Sequence, residues 1–151
     1  MLPSAFMRAL ILIPSVLFFS GLTFGQPLPV GVWQTFDEAT GAAKSEVTIS
    51  ERDGVISGRV TKFLRPDADP NRRCEACTGD RKNQPMLGME IIRGVKASAV
   101  ANQWGDGEIL DPENGKTYKV QLNLSDDGQT LAVKGSLFIF SRTQTWRRAA
   151  Q

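Results

Sequence analysis

Cys74 and Cys77, in Cys74-Glu75-Ala76-Cys77, are the only cysteines in the chain. Two thiols at that spacing can close a local disulfide, cycle as a redox pair, or supply half of a zinc site. Zinc generally takes four ligands, and the chain has neither a second cysteine pair nor any histidine. Arg72 and Arg73 would stabilise a thiolate and so favour redox chemistry. Thioredoxin-like pairs, however, open a helix after a strand, and the stretch from Arg65 to Pro85 is irregular. A local disulfide is the first expectation; so small a ring contributes about 2 kcal/mol at most, so its task is to shape the loop.

The remaining reactive residues form no recognisable machinery. Without histidine the chain lacks the commonest general base and metal ligand, and no Ser-x-x-Lys motif replaces it. Asp106 and Glu108 could form a carboxylate pair, but their flanking Gly105 and Gly107 read first as a turn. Asp67-x-Asp69-x-Asn71 resembles the start of a calcium loop, yet Arg72 and Thr78 stand where an EF-hand needs Gly and Glu. Neither a catalytic residue, a metal nor a cofactor is therefore expected. Lys+Arg 18 against Asp+Glu 16 leaves +2, too balanced for a nucleic-acid partner.

The first residues differ from the rest. After Arg8 an apolar run extends from Ala9 to Leu22, followed by small residues up to Gly25. The run matches the core of a signal peptide, about 7–15 residues, and falls short of the roughly 20 of a spanning helix. Pro14 weakens a helix there further. We expect residues 1–25 to be a cleaved signal peptide and residues 26–151 a single exported domain, periplasmic or secreted, with no membrane span. In such an oxidising compartment the two cysteines would pair.

From Gly31 onward, short alternating runs are separated by turn signals, and no segment holds a helical period. Thr117 to Leu124 is the cleanest run: Tyr118, Val120, Leu122 and Leu124 take one face, and Thr117, Lys119, Gln121 and Asn123 the other. Further runs are Gly31–Phe36, Lys44–Ser50, Val55–Leu64, Leu87–Arg93, Glu108–Leu110, Leu131–Leu137 and Ile139–Arg148. Asp53-Gly54, Asp111-Pro112-Glu113-Asn114-Gly115 and Asp126-Asp127-Gly128 supply turns between neighbours, and Gly58 a bend or bulge. Half-polar strands without covering helices exclude a parallel sheet. The expected fold is all-β, an antiparallel meander of about eight strands closing into a barrel, because closure removes exposed edges. A membrane-spanning barrel would need paired aromatic girdles, which the chain lacks.

Gly31-Val32-Trp33 opens the first run, and Trp146-Arg147-Arg148 closes the last. That pairing resembles lipocalin-like barrels, which implies a tryptophan plugging the closed end with Arg147 or Arg148 packed across it. An ordered series is more specific. Gly41 with Lys44-Ser45, Gly58-Arg59-Val60, the cysteine motif, Trp104-Gly105-Asp106-Gly107-Glu108-Ile109, Asp111 to Tyr118 and Thr145 to Arg148 resemble the bacterial exported family known as domain of unknown function 2147. The resemblance implies a lipocalin-like barrel outside the cytoplasm and supplies no catalytic residues.

The function expected is therefore binding of a small apolar or amphipathic molecule inside the barrel. Its lining is expected from Ile49, Val60, Tyr118, Val120, Leu122, Leu124, Val133 and Leu137, with Trp104 in a turn at the mouth or packed on the rim. The same residues could instead fill the barrel, leaving an envelope interaction or structural module. A thiol redox role for Cys74 and Cys77 is the third reading.

Overall fold

In β6 (Lys116–Leu124), Val120, Leu122 and Leu124 are buried while Lys116 and Lys119 are exposed, the period-two outcome of a strand with one wet face. Seven further strands complete the computed structural model, which describes Gly25 and residues 27–150. They are β1 (Gly31–Phe36), β2 (Ala43–Arg52), β3 (Val55–Phe63), β4 (Glu90–Ala97), β5 (Gln103–Asp111), β7 (Thr130–Leu137) and β8 (Phe140–Arg148), and β1 and β2 show the same alternation. All pair antiparallel with their sequence neighbours, and β8 returns to β1, giving a closed eight-stranded meander. Apart from Gly25, the expected signal peptide lies outside the described residues.

Two expectations need correction. The Gly-flanked Trp104-Gly105-Asp106-Gly107 is not a turn: it lies within β5, where the register with β6 slips between Trp104 and Gly107. Asp106 takes φ 62°, a conformation a single bulged residue can hold inside a strand. Gly107 permits the close approach of β4, since a Cβ there would strike the Arg93 carbonyl and Val95. Second, β4 begins at Glu90 rather than Leu87, because Gly88 still belongs to the loop and is left-handed at φ 85°. The bend expected at Gly58 is present as two register slips against β4, and its missing side chain admits Ile92.

One end of the barrel is plugged. Trp33 is fully buried, and its indole N–H donates to the Pro29 carbonyl at 2.8 Å. The Arg148 guanidinium lies 4.3 Å from the Trp33 ring centroid. From there Arg148 Nε donates to the Gly128 carbonyl (2.7 Å) and Nη1 to the Val30 carbonyl (2.9 Å). Gly31 holds φ 132° directly beneath this guanidinium, where any Cβ would collide with it, so the glycine of Gly-x-Trp is sterically required. Of the two candidate arginines, Arg148 covers Trp33, whereas Arg147 lies over Phe36 at 5.0 Å. Val47, Ile49, Ile56, Val95, Leu122 and Leu131 share the buried core with Trp33, each at most 1% exposed.

Removing Arg148 should therefore cost more than removing Arg147. Arg148→Ala loses the cation–π contact on the buried Trp33 ring and two hydrogen bonds to backbone carbonyls, about 2–3 kcal/mol together. Arg147→Ala, at an exposed site, is expected to cost less than about 1 kcal/mol. Urea unfolding of both variants checks this, and equal losses would contradict the plug.

Candidate functional site

The opposite end of the barrel is ringed by the β1–β2 loop, the long segment 64–89, the β5–β6 turn and the β7–β8 hairpin. Segment 64–89 folds onto itself. Cys74 N–H donates to Gln84 O and Asn83 N–H to Cys74 O, both at 2.9 Å, and Arg73 bridges Pro85. Cys74 and Cys77 form a disulfide and are buried at 0% and 2% exposure, with Cys74 Sγ in contact with the Pro112 carbonyl at 3.2 Å. The bridge joins residues three apart and constrains the shape of the loop. The loop then lies against the β5–β6 turn so closely that a Cβ on Gly115 would run into the Ala76 carbonyl.

Charges that look loosely mixed in sequence are paired across these loops. Arg81 joins Glu108 at 3.1 Å, and Arg93 joins both Asp80 and Glu90 at 2.7 Å. Arg65 reaches Asp37 at 2.5 Å and Lys44 reaches Glu113 at 2.8 Å, while Arg142 binds Glu38. Glu108 is thus held by an arginine rather than facing Asp106 as a carboxylate pair. Among the described residues no group of three or more His, Cys, Asp or Glu could hold a metal ion.

Beneath the ring is a cavity of about 280 Å³. Val47, Val60, Ile91, Ile109, Tyr118, Val133 and Trp146 give it apolar walls, and Phe36 and Phe140 stand at its mouth. Several polar groups interrupt the lining. The Thr35 and Ser45 hydroxyls share a buried hydrogen bond of 2.8 Å, and the Trp146 indole N–H donates to Gln144 Oε1 at 3.3 Å. Tyr118 carries its hydroxyl to the rim, where Asn114 Nδ2 donates to it at 3.2 Å. Gly135 completes the wall between Tyr118 and Ile109, and its lack of a side chain leaves part of the space free.

The structure brings together only some of the residues expected as lining. Val60, Tyr118 and Val133 line the cavity. Ile49, Val120, Leu122 and Leu124 are buried but do not line it, and Ile49 and Leu122 pack in the layers around the plug. Trp104 does not stand at the mouth: it is 5% exposed on β5, opposite Leu122. Leu137 is half-buried at the end of β7. Thr35, Ser45 and Gln144 were not foreseen. The signal for them was strand parity, since they stand two residues from Trp33, Val47 and Trp146 and so share their inward face.

A family model, described as an uncharacterized protein conserved in bacteria (DUF2147), matches residues 31–148. Among solved structures the chain is similar to protein HP1028 from Helicobacter pylori, described as belonging to the lipocalin family. The TM-score is 0.69 at 18% identity, covering 82% of this chain and 84% of that one. At that identity the likeness is one of fold. No curated protein matches the chain.

The ring of ion pairs fixes a pH response. The Arg142 hydrogen bond holds the Glu38 carboxyl below the usual carboxylate range, and backbone and side-chain hydrogen bonds from Thr40 do the same for Asp37. Burial pushes Glu113 upward, but the Lys44 hydrogen bond and charge outweigh it and its value is lowered too. Groups depressed on folding stabilise above their unfolded values, about 4, and lose that contribution as the pH falls through the folded ones. With no histidine to titrate, the unfolding midpoint should be flat from about pH 5 to 8 and drop below about pH 4. Thermal unfolding across that range checks the shape of the curve.

Proposed function

We propose that this chain, which belongs to the bacterial family DUF2147, is an exported binding protein. Its ligand is a small apolar or amphipathic molecule, seated in the open half of the barrel. The observation that carries this reading is the cavity itself, about 280 Å³ and reaching the mouth through Phe36 and Phe140. Ligand pockets commonly run roughly 300–1,000 Å³ with apolar walls and a few placed polar groups. This one stands at the small end, so a short-chain or single-ring molecule fits better than a long lipid. The Thr35–Ser45 pair, Gln144 and the Tyr118 hydroxyl would orient a polar head, each already having a partner to exchange.

Export is supported by the apolar run from Ala9 to Leu22 and by a disulfide that suits an oxidising compartment. The interaction-module reading needs a filled interior, and the cavity weighs against it. A redox role is opposed by the burial of both cysteines.

Gly135→Leu tests the reading directly. Its φ is ordinary, and the nearest atoms to a new Cβ are Tyr118 Cβ and Cγ and Ile109 Cγ2 at 3.4–3.8 Å, so the side chain enters the cavity without breaking the strand. Calorimetric titration with 4-ethylphenol and with octanoate should show saturable one-to-one binding to the unaltered protein. In Gly135→Leu it should weaken at least tenfold, about 1.4 kcal/mol, with the fold intact by circular dichroism. Equal binding by both proteins, or none by the unaltered one, would refute it.

A further inference from the structure

The β7–β8 hairpin ends in a tip that a soluble barrel has no reason to keep. Phe138, Ile139 and Phe140 are 94%, 90% and 74% exposed, whereas the other aromatic side chains among the described residues are far better covered. The loop has two residues, between the paired Leu137 and Phe140, and its first residue, Phe138, is left-handed at φ 53°. Two-residue hairpins of this kind place Gly or Asn at such a position, and a bulky side chain there is strained. Strain and exposed apolar surface at one place, beside the mouth of a cavity, point to a use.

We propose that this hairpin docks the mouth of the barrel onto an anionic phospholipid surface. The charge of the wall behind it fits that partner. Strands β6, β7 and β8 contain no Asp or Glu, and toward the mouth they carry Lys116, Lys119 and Lys134 beside the Glu38-paired Arg142. Lys119 is level with Ser136, one pair below the tip pair, and Lys134 is three pairs below it. At about 3.3 Å per residue both ammonium groups stand within roughly 10 Å of the tip, the depth of a headgroup layer when the tip reaches the acyl boundary.

Several of the nearby carboxylates are held in ion pairs. Glu38 is bound by Arg142, Asp37 by Arg65 and Glu113 by Lys44. Glu108, across from Lys119, is bound by Arg81, and Asp111 accepts from the Glu113 N–H and the Asn114 amide. A protein partner is the poorer fit. Three side chains of at most roughly 150–250 Å² each fall short of the roughly 800 Å² per partner of a stable interface. A narrow apolar finger with lysines behind it is instead the pattern of an interfacial anchor. The inference stands apart from the cavity reading, since docking is measured whether or not the cavity takes a ligand.

Flotation with vesicles of phosphatidylglycerol and phosphatidylethanolamine (1:3), and with phosphatidylcholine alone, tests it at low and high salt. The protein should float with the anionic vesicles at low salt, and far less with the neutral ones or at high salt. Phe138→Gly with Ile139→Asn should lower the partition coefficient at least tenfold, while relief of the left-handed phenylalanine keeps or raises the unfolding midpoint. Lys119→Gln with Lys134→Gln should weaken binding to the anionic vesicles only. The proposal fails if the unaltered protein floats with neither composition, or if the hairpin variant floats equally well. It also fails if, without lipid flotation, sedimentation velocity shows self-association that the hairpin variant abolishes.

Discussion

Closure of the ring rests on one side chain more than on the ladder beneath it. β1 and β8 pair at only two positions, Trp33 with Arg148 and Gln34 with Arg147, whereas β7 and β8 pair at eight. A seam that short would leave two edges open to fraying or to foreign strands. Arg148 compensates by gripping three separate pieces of chain: the Trp33 ring, the Val30 carbonyl before β1 and the Gly128 carbonyl in the β6–β7 turn. The grip works because the guanidinium is a planar, permanently charged fork, able to stack on an indole and donate along its edge at once. Gly31 is bare so that the fork can lie flat.

The short seam also divides the barrel into two regimes. Near the plug, large side chains interdigitate and leave no room; toward the mouth β1 and β8 run on without pairing, and Phe36, Gln144 and Arg142 border a hollow. There the missing ladder gives way to side-chain ties, Arg147 over Phe36 and Arg142 to Glu38. Opening of a barrel is usually costly because every backbone group in it is bonded. Here the mouth is open by construction, and the disulfide-shaped loop narrows it from the opposite side without closing it.

Much of this was legible in the chain. β1 was bounded to the residue and β6 to within one, since eight alternating positions between two strong turns admit no other period. The family resemblance read from Gly31-Val32-Trp33 through Trp146-Arg147-Arg148 holds over residues 31–148. β5 was cut short because Gly105-Asp106-Gly107 has the composition of a turn, and only the tight approach of β4 requires glycine there in a strand. The cavity was legible only in part. Hydrophobicity marks every inward residue alike, so Ile49 and Val60 look the same although Ile49 is paired with Gly31 beside the plug and Val60 borders the cavity. What separates them is height along the barrel axis, which depends on register and bulges. Thr35, Ser45 and Gln144 were hidden for the converse reason: polar residues at inward positions look like surface unless counted from a buried neighbour.

The fit of Gly115 beneath Ala76 reaches beyond stability. A turn and a loop separated by almost forty residues have been cut to one another's outline, so neither can drift alone. Across descendants of this chain, any side chain gained at 115 must be answered by a rerouted backbone at 76.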